Sequence, residues 1–279
     1  MTTDVLTEST RPGEKAAGSA RPGSGVGHAS DPVSAISFPA RVAVETRKMV
    51  DTRSGLGLLL AILLIDLVAI GIFTFAGPTE SLGFQDYLVI LVNVQAVLLP
   101  IVGVIAASGE WSQRTTLQTF ALEPRRGRVI AAKLVAALVL MVAITAISTV
   151  FAAGGHALSQ AMGNDTAGWG VQWDIFGGVI ALLALITIMG VAFGLLLHAP
   201  AVAIVGFLLL PMVFSTIPLL IPSVSGAFEW IDFQAAWNSM IGDGGPSAGE
   251  WARIASTTAI WVVAPMIAGW IRTTRREAA

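Results

Sequence analysis

No cysteine occurs in this chain, so disulfides and thiolate metal sites are excluded and nothing is said of redox compartment. Charge is scarce as well. Only 12% of the residues are Asp, Glu, Lys or Arg, where a soluble domain carries roughly a quarter. Histidine is limited to His28, His156 and His198, in three separate segments, which is poor material for a metal cluster. No G-x-x-x-x-G-K-[ST], H-E-x-x-H or G-x-S-x-G sequence is present, and GSGVGH at 23–28 has no strand or helix around it. These absences argue against a phosphate-cradling loop, a zinc protease and a serine hydrolase, and no group of residues converges as a catalytic site.

What the chain has in excess is apolar surface. At 54% hydrophobic, its 279 residues cannot bury everything in one compact core, so lipid must cover much of it. Six long stretches with almost no charge run at about 55–76, 87–107, 129–153, 175–197, 199–221 and 252–271. Each is near or above the ~20 residues that a helix needs to cross the hydrocarbon core. In lipid they must be helices, because an open strand edge would leave backbone groups unpaired. The expected fold is an all-α polytopic membrane protein spanning 55–271, multi-pass in the cell membrane. Pro100, Pro200, Pro211, Pro218 and Pro265 predict kinks or helix ends. The first apolar run starts too late for a cleavable signal peptide.

The basic residues set the expected orientation. Seven Lys or Arg precede the first span, Arg114, Arg125, Arg126 and Arg128 lie between spans 2 and 3, and Arg272, Arg275 and Arg276 follow span 6. The gaps 77–86, 154–174 and 222–251 hold acids and no Lys or Arg. This alternation predicts both termini inside. Trp169, Trp173, Trp230, Trp237, Trp251 and Trp270 fall near span ends, as interface-seeking indoles do.

Outside the spans, residues 1–35 read as a disordered cytoplasmic tail and 272–279 as a second, short one. The stretch 38–53 reads as an interfacial amphipathic helix, with Arg41, Glu45, Lys48 and Arg53 on its wet side, or as an unstructured charged flank. Residues 222–251, weighted with Phe228, Trp230, Phe233 and Trp237 and broken by glycines, read as two short helices dipping into the outer interface, or as a loop resting on lipid.

Three polar features stand out. Asp66 lies in the middle of span 1, where a carboxylate is expensive; it marks a substrate or proton path, or serves as a structural hydrogen-bonding residue. Lys133 sits near the inner end of span 3, where its stem can snorkel, and Glu250 is placed to pair with Arg253. Gly190 and Gly194 form a small-xxx-small pair suited to a close helix or subunit contact. Between spans 2 and 3, Leu117, Phe120 and Ala121 form an apolar face before the break at Pro124. That segment reads as a helix docking a soluble partner, or as a basic loop held by anionic headgroups.

Glu110, Arg114-Thr115-Thr116, Leu117, Pro124-Arg125-Arg126 and Lys133, in this order, resemble the permease subunit of ABC-2 type transporters, as does Glu45 to Lys48. The resemblance covers about residues 38–276. It implies a connecting helix at 38–53, a coupling segment at 110–124 built on Glu110, Arg114, Thr115, Leu117, Phe120 and Pro124 and followed by Arg125 and Arg126, and an outer re-entrant element at 222–251. It further implies a second permease subunit, as homo- or heterodimer, and separate cytoplasmic ATP-binding subunits. ATP and Mg would be bound by those partners, with no cofactor, no catalytic residue and no nucleic acid on this chain. A secondary transporter and a non-transporting integral membrane protein are the alternatives.

Overall fold

A computed structural model describes residues 37–77, 82–112, 125–164, 167–242 and 244–275, with the backbone alone at residues 112 and 211. All described elements are helical. Helix α1 (Phe38–Asp51) leads through Thr52 into α2 (Arg53–Ala76), followed by α3 (Phe84–Ser112), α4 (Arg126–Ala161), α5 (Trp173–Leu197) and α6 (Pro200–Leu220). Two short helices, α7 (Ser225–Phe228) and α8 (Phe233–Asn238), precede a last continuous helix of three parts. These are α9 (Ala248–Thr258), a wider π turn over Ala259–Val263, and α10 (Ala264–Arg275). Six of these helices, α2 to α6 and the α9–α10 unit, are long and apolar enough to cross a membrane. The chain is a multi-pass membrane protein. The tail 1–35 and the segment carrying Arg114, Thr115, Leu117, Phe120 and Pro124 lie outside the described residues.

Local chemistry explains the helix ends. Pro39 occupies the first turn of α1, where its missing N–H is no loss. Thr52 caps α2 by accepting a hydrogen bond from the Gly55 amide at 3.2 Å. At the α5–α6 corner, His198 takes a left-handed conformation (φ 54°) and Pro200 starts the next helix. Ser247 and Glu250 form a reciprocal capping box at the start of α9. Several helices outrun the apolar stretches that announce them: α3 continues to Ser112 and α4 from Arg126 to Ala161. Backbone hydrogen bonding carries a helix on after its side chains stop being apolar, so Glu110 belongs to the last turns of α3.

The centre of the fold is the pair α3 and α5, which make the most extensive contact, with α4 against α3 and α10 against α5. Glycine makes the α3–α5 approach possible. A Cβ on Gly190 would collide with the Pro100 carbonyl, and one on Gly194 would meet Val104 and Ala107 at 2.8 Å. The pair therefore packs within the chain, where the sequence also suggested a subunit contact. Gly178 of α5 admits the turn after α8 in the same way, since a Cβ there would strike the Met240 carbonyl.

Other expectations change. Trp237 is fully buried in the core beneath α8 and does not seek an interface. Arg253 pairs with Glu229 at 2.7 Å, while Glu250 is held by its capping box. The α7–α8 segment is tied to the last helix by the Trp261 indole donating to the Ile231 carbonyl (2.6 Å) and by Ser256 Oγ donating to the Trp230 carbonyl (2.8 Å).

Candidate functional site

Among the described residues, two polar clusters lie inside the helical bundle. The first joins α1, α3 and α4. Arg41, Glu45 and Met49 recur every four residues and share one face of α1, and all three are buried. Lys133 of α4 donates from Nζ to Glu45 Oε2 at 2.9 Å and to the Ala106 carbonyl at 3.2 Å, and lies 3.2 Å from Glu110 Oε1. Lys48 Nζ donates to Glu45 Oε1 and to Glu110 Oε1, each at 2.7 Å. Two carboxylates and two ammonium groups thus alternate in one closed ring. The side chains of Lys133, Glu45 and Glu110 are only 7%, 5% and 14% exposed. Charges so deep persist only when paired and hydrogen-bonded.

This arrangement reverses two expectations. Arg41 and Glu45 of α1 turn toward the helices while Lys48 is half-exposed and Arg53 exposed, and Val44 and Val50 point outward. Lys133 does not snorkel; it is captured by two acids. The reason is mutual, because Lys133, Glu45 and Glu110 are buried as one another's counter-charges. Lys48, outside the spans, is the most exposed member. Burial works against its ammonium, but the hydrogen bonds to Glu110 and Glu45 and the charges of both outweigh that and hold it above the ordinary lysine value.

The same end of the bundle gathers further polar contacts. Arg126 Nη1 donates to the carbonyls of Thr273 (3.3 Å) and Thr274 (3.1 Å) in the last turn of α10, where carbonyls lack helical partners and the dipole favours a cation. His198 stacks on Trp111 with ring centroids 4.1 Å apart, and its Nε2 lies 3.0 Å from Thr273 Oγ1. Arg272 donates to the Leu196 carbonyl. Arg125 stands at the N-cap of α4, exposed. Thus Glu110, Lys133 and Arg126 mark one end of the molecule, on helices that flank the segment 113–124.

The second cluster is separate. Asp66 of α2 is fully buried, and its Oδ2 accepts from Ser148 Oγ of α4 at 2.5 Å and from Gln95 Nε2 of α3 at 2.9 Å. Gln95 Oε1 accepts in turn from Thr145 Oγ1 at 2.7 Å. Asp66 Oδ1 has no hydrogen-bond partner among the described residues. Along α4 the two clusters are well apart: Lys133 and Ser148 differ by fifteen positions, about 22 Å of helix. Asp66 therefore meets no basic side chain of the first cluster. Sequence reading picked out Asp66 but not its partners. A signal was present, since Thr145 and Ser148 are three apart on α4, the spacing of one helical face.

Among the described residues, no group of three or more His, Asp or Glu could hold a metal ion. No protein-family model matches the chain. No curated protein matches it.

Proposed function

We propose that this chain is the membrane-spanning permease subunit of an ATP-driven exporter of the ABC-2 type. It would pair with a second permease subunit and be driven by separate cytoplasmic ATP-binding subunits, with both termini inside. The observation that carries this reading is the buried ring of Glu45, Lys48, Glu110 and Lys133. The ring locks α1 to the two helices that flank residues 113–124, the segment whose motifs resemble a coupling element. A push on that segment would pass into α1, α3 and α4 together, because Glu45 of α1 and Glu110 of α3 share Lys133 of α4 as a counter-charge. Arg126 extends the same connection to the end of α10. Coupling requires that the two end states bind nucleotide or substrate differently, and a ring formed in one and rearranged in the other supplies such a difference.

The test uses the chain together with whatever ATP-binding subunits co-purify with it from its native membrane. ATP-dependent uptake of a panel of fluorescent lipids and drugs into inverted vesicles is measured for Glu110→Gln and Arg125→Ala. ATP hydrolysis retained with transport lost supports coupling; unchanged transport overturns it. A second reading, a secondary transporter, is favoured by the unpartnered Asp66 Oδ1 within a span. It predicts that Asp66→Asn abolishes transport driven by an ion gradient without ATP. Transport and assembly both unchanged in Asp66→Asn would remove any functional role for that carboxyl.

A further inference from the structure

A cavity of about 310 Å³ opens between α3, α5 and α6 beneath α8. That volume lies in the range of small-molecule sites. Its walls are apolar, with Ala96, Leu182 and Phe207 among them, and none of the described residues lining it is Asp, Glu, Lys or Arg. Three side-chain amides line it: Asn93 on α3, and Gln234 and Asn238 on α8. The last two are four positions apart, so they share one helical face. Neither makes a side-chain hydrogen bond among the described residues, and Asn93 uses only its Nδ2, donating to the Val89 carbonyl of its own helix at 3.0 Å. Asn93 lies nine residues into α3, about 13 Å along its axis, so the cavity reaches into the bilayer's hydrocarbon region.

We propose that this cavity binds a neutral single-chain amphiphile, its apolar chain against α3, α5 and α6 and its uncharged hydrogen-bonding head among Asn93, Gln234 and Asn238. The chemistry selects this class. An apolar chain fits the walls, and amides offer both donors and acceptors to a hydroxyl, ester or amide. A charged head would find no counter-ion in the lining. The site stands apart from the ATP-driven reading, since binding here needs no second subunit and no nucleotide.

The probe is a monoacylglycerol carrying a mid-chain diazirine, added to the full chain in phosphatidylcholine nanodiscs, irradiated and mapped by mass spectrometry. Adducts are expected on the cavity-lining parts of α3, α6 and α8, well above those on Leu64 and Val68, which are exposed on α2. Unlabelled monoacylglycerol should compete. A diazirine fatty acid, ionised at pH 8, should label the cavity far less. Filling the cavity with Ala96→Phe should abolish labelling. Gln234→Ala with Asn238→Ala keeps the walls and should lower it about tenfold, the loss of roughly one to two hydrogen bonds. If Ala96→Phe does not fold, the double variant decides. Labelling no higher than on α2, equal labelling by the anionic probe, no response to the double variant, or crosslinks between two copies of the chain at these residues would each overturn the site.

Discussion

The two buried polar clusters solve one problem in different ways. The ring of Glu45, Lys48, Glu110 and Lys133 balances two negative against two positive charges and spreads them over three helices. The Asp66 cluster offers its single carboxyl only neutral donors, Ser148 and Gln95, with Thr145 behind them. In the ring the buried Lys133 serves both acids, and the half-exposed Lys48 serves the same two. Around Asp66 the neighbours are amides and hydroxyls, which are content with or without a charge. The ring therefore holds its helices by opposed charges, and the Asp66 cluster holds its own by hydrogen bonds to neutral groups.

The comparison is broken most severely at Lys133. Lys133→Met removes the buried lysine that Glu45 and Glu110 share, and should cost about 3–5 kcal/mol. A collapse in the yield of monodisperse protein and in thermal midpoint is expected. Adding Glu45→Gln should recover part of the loss, because one of the stranded acids becomes neutral. A midpoint unmoved by Lys133→Met would mean that the ring does not hold the helices.

Asp66 should respond more mildly and depend on shape. Asp66→Leu removes the acceptor of Ser148 and Gln95 and should cost about 1–3 kcal/mol. Asp66→Asn keeps the outline and one acceptor oxygen and should cost less than about 1 kcal/mol. Thermal unfolding of both variants in one detergent makes the comparison. Equal losses would show that a charge, and not hydrogen bonding, governs this cluster.

The smallest effect is at Lys48, whose folded pKa is raised. A raised pKa gives stability that is fully present below the ordinary value of 10.5 and is lost as pH rises through the higher folded value. The difference in thermal midpoint between the wild type and Lys48→Met should therefore be constant from pH 7 to about 10 and shrink above it. A gap that persisted unchanged through the most alkaline range would place the lysine's contribution in its methylenes.

Much of this is legible in the sequence. Long uncharged runs can be nothing but spanning helices, because lipid offers no partner to a free backbone amide. For the same reason Asp66 could be picked out as the polar residue of α2 that must face other helices. The partners were harder to see. Gln95 and Ser148 are 29 and 82 positions from Asp66 in sequence, and local pattern carries no information about which helices touch. The inward face of α1 was misread for a related reason. A helix with charges on one side is expected to show them to water, unless another element buries matching charges, and Lys133 lies 88 positions from Glu45.

By itself, then, the sequence determined the class of this protein: how many apolar helices, about where they start and stop, and which polar residues would be costly in lipid. Those properties follow from local composition and from a solvent that tolerates only closed backbone hydrogen bonding. Tertiary structure decided which charges meet, that Gly190 seats α5 on α3, and that an apolar cavity with three amides in its lining lies beneath α8. Those are matters of helix rotation and neighbour choice, fixed by steric fit and charge pairing over distances that no local stretch of chain encodes.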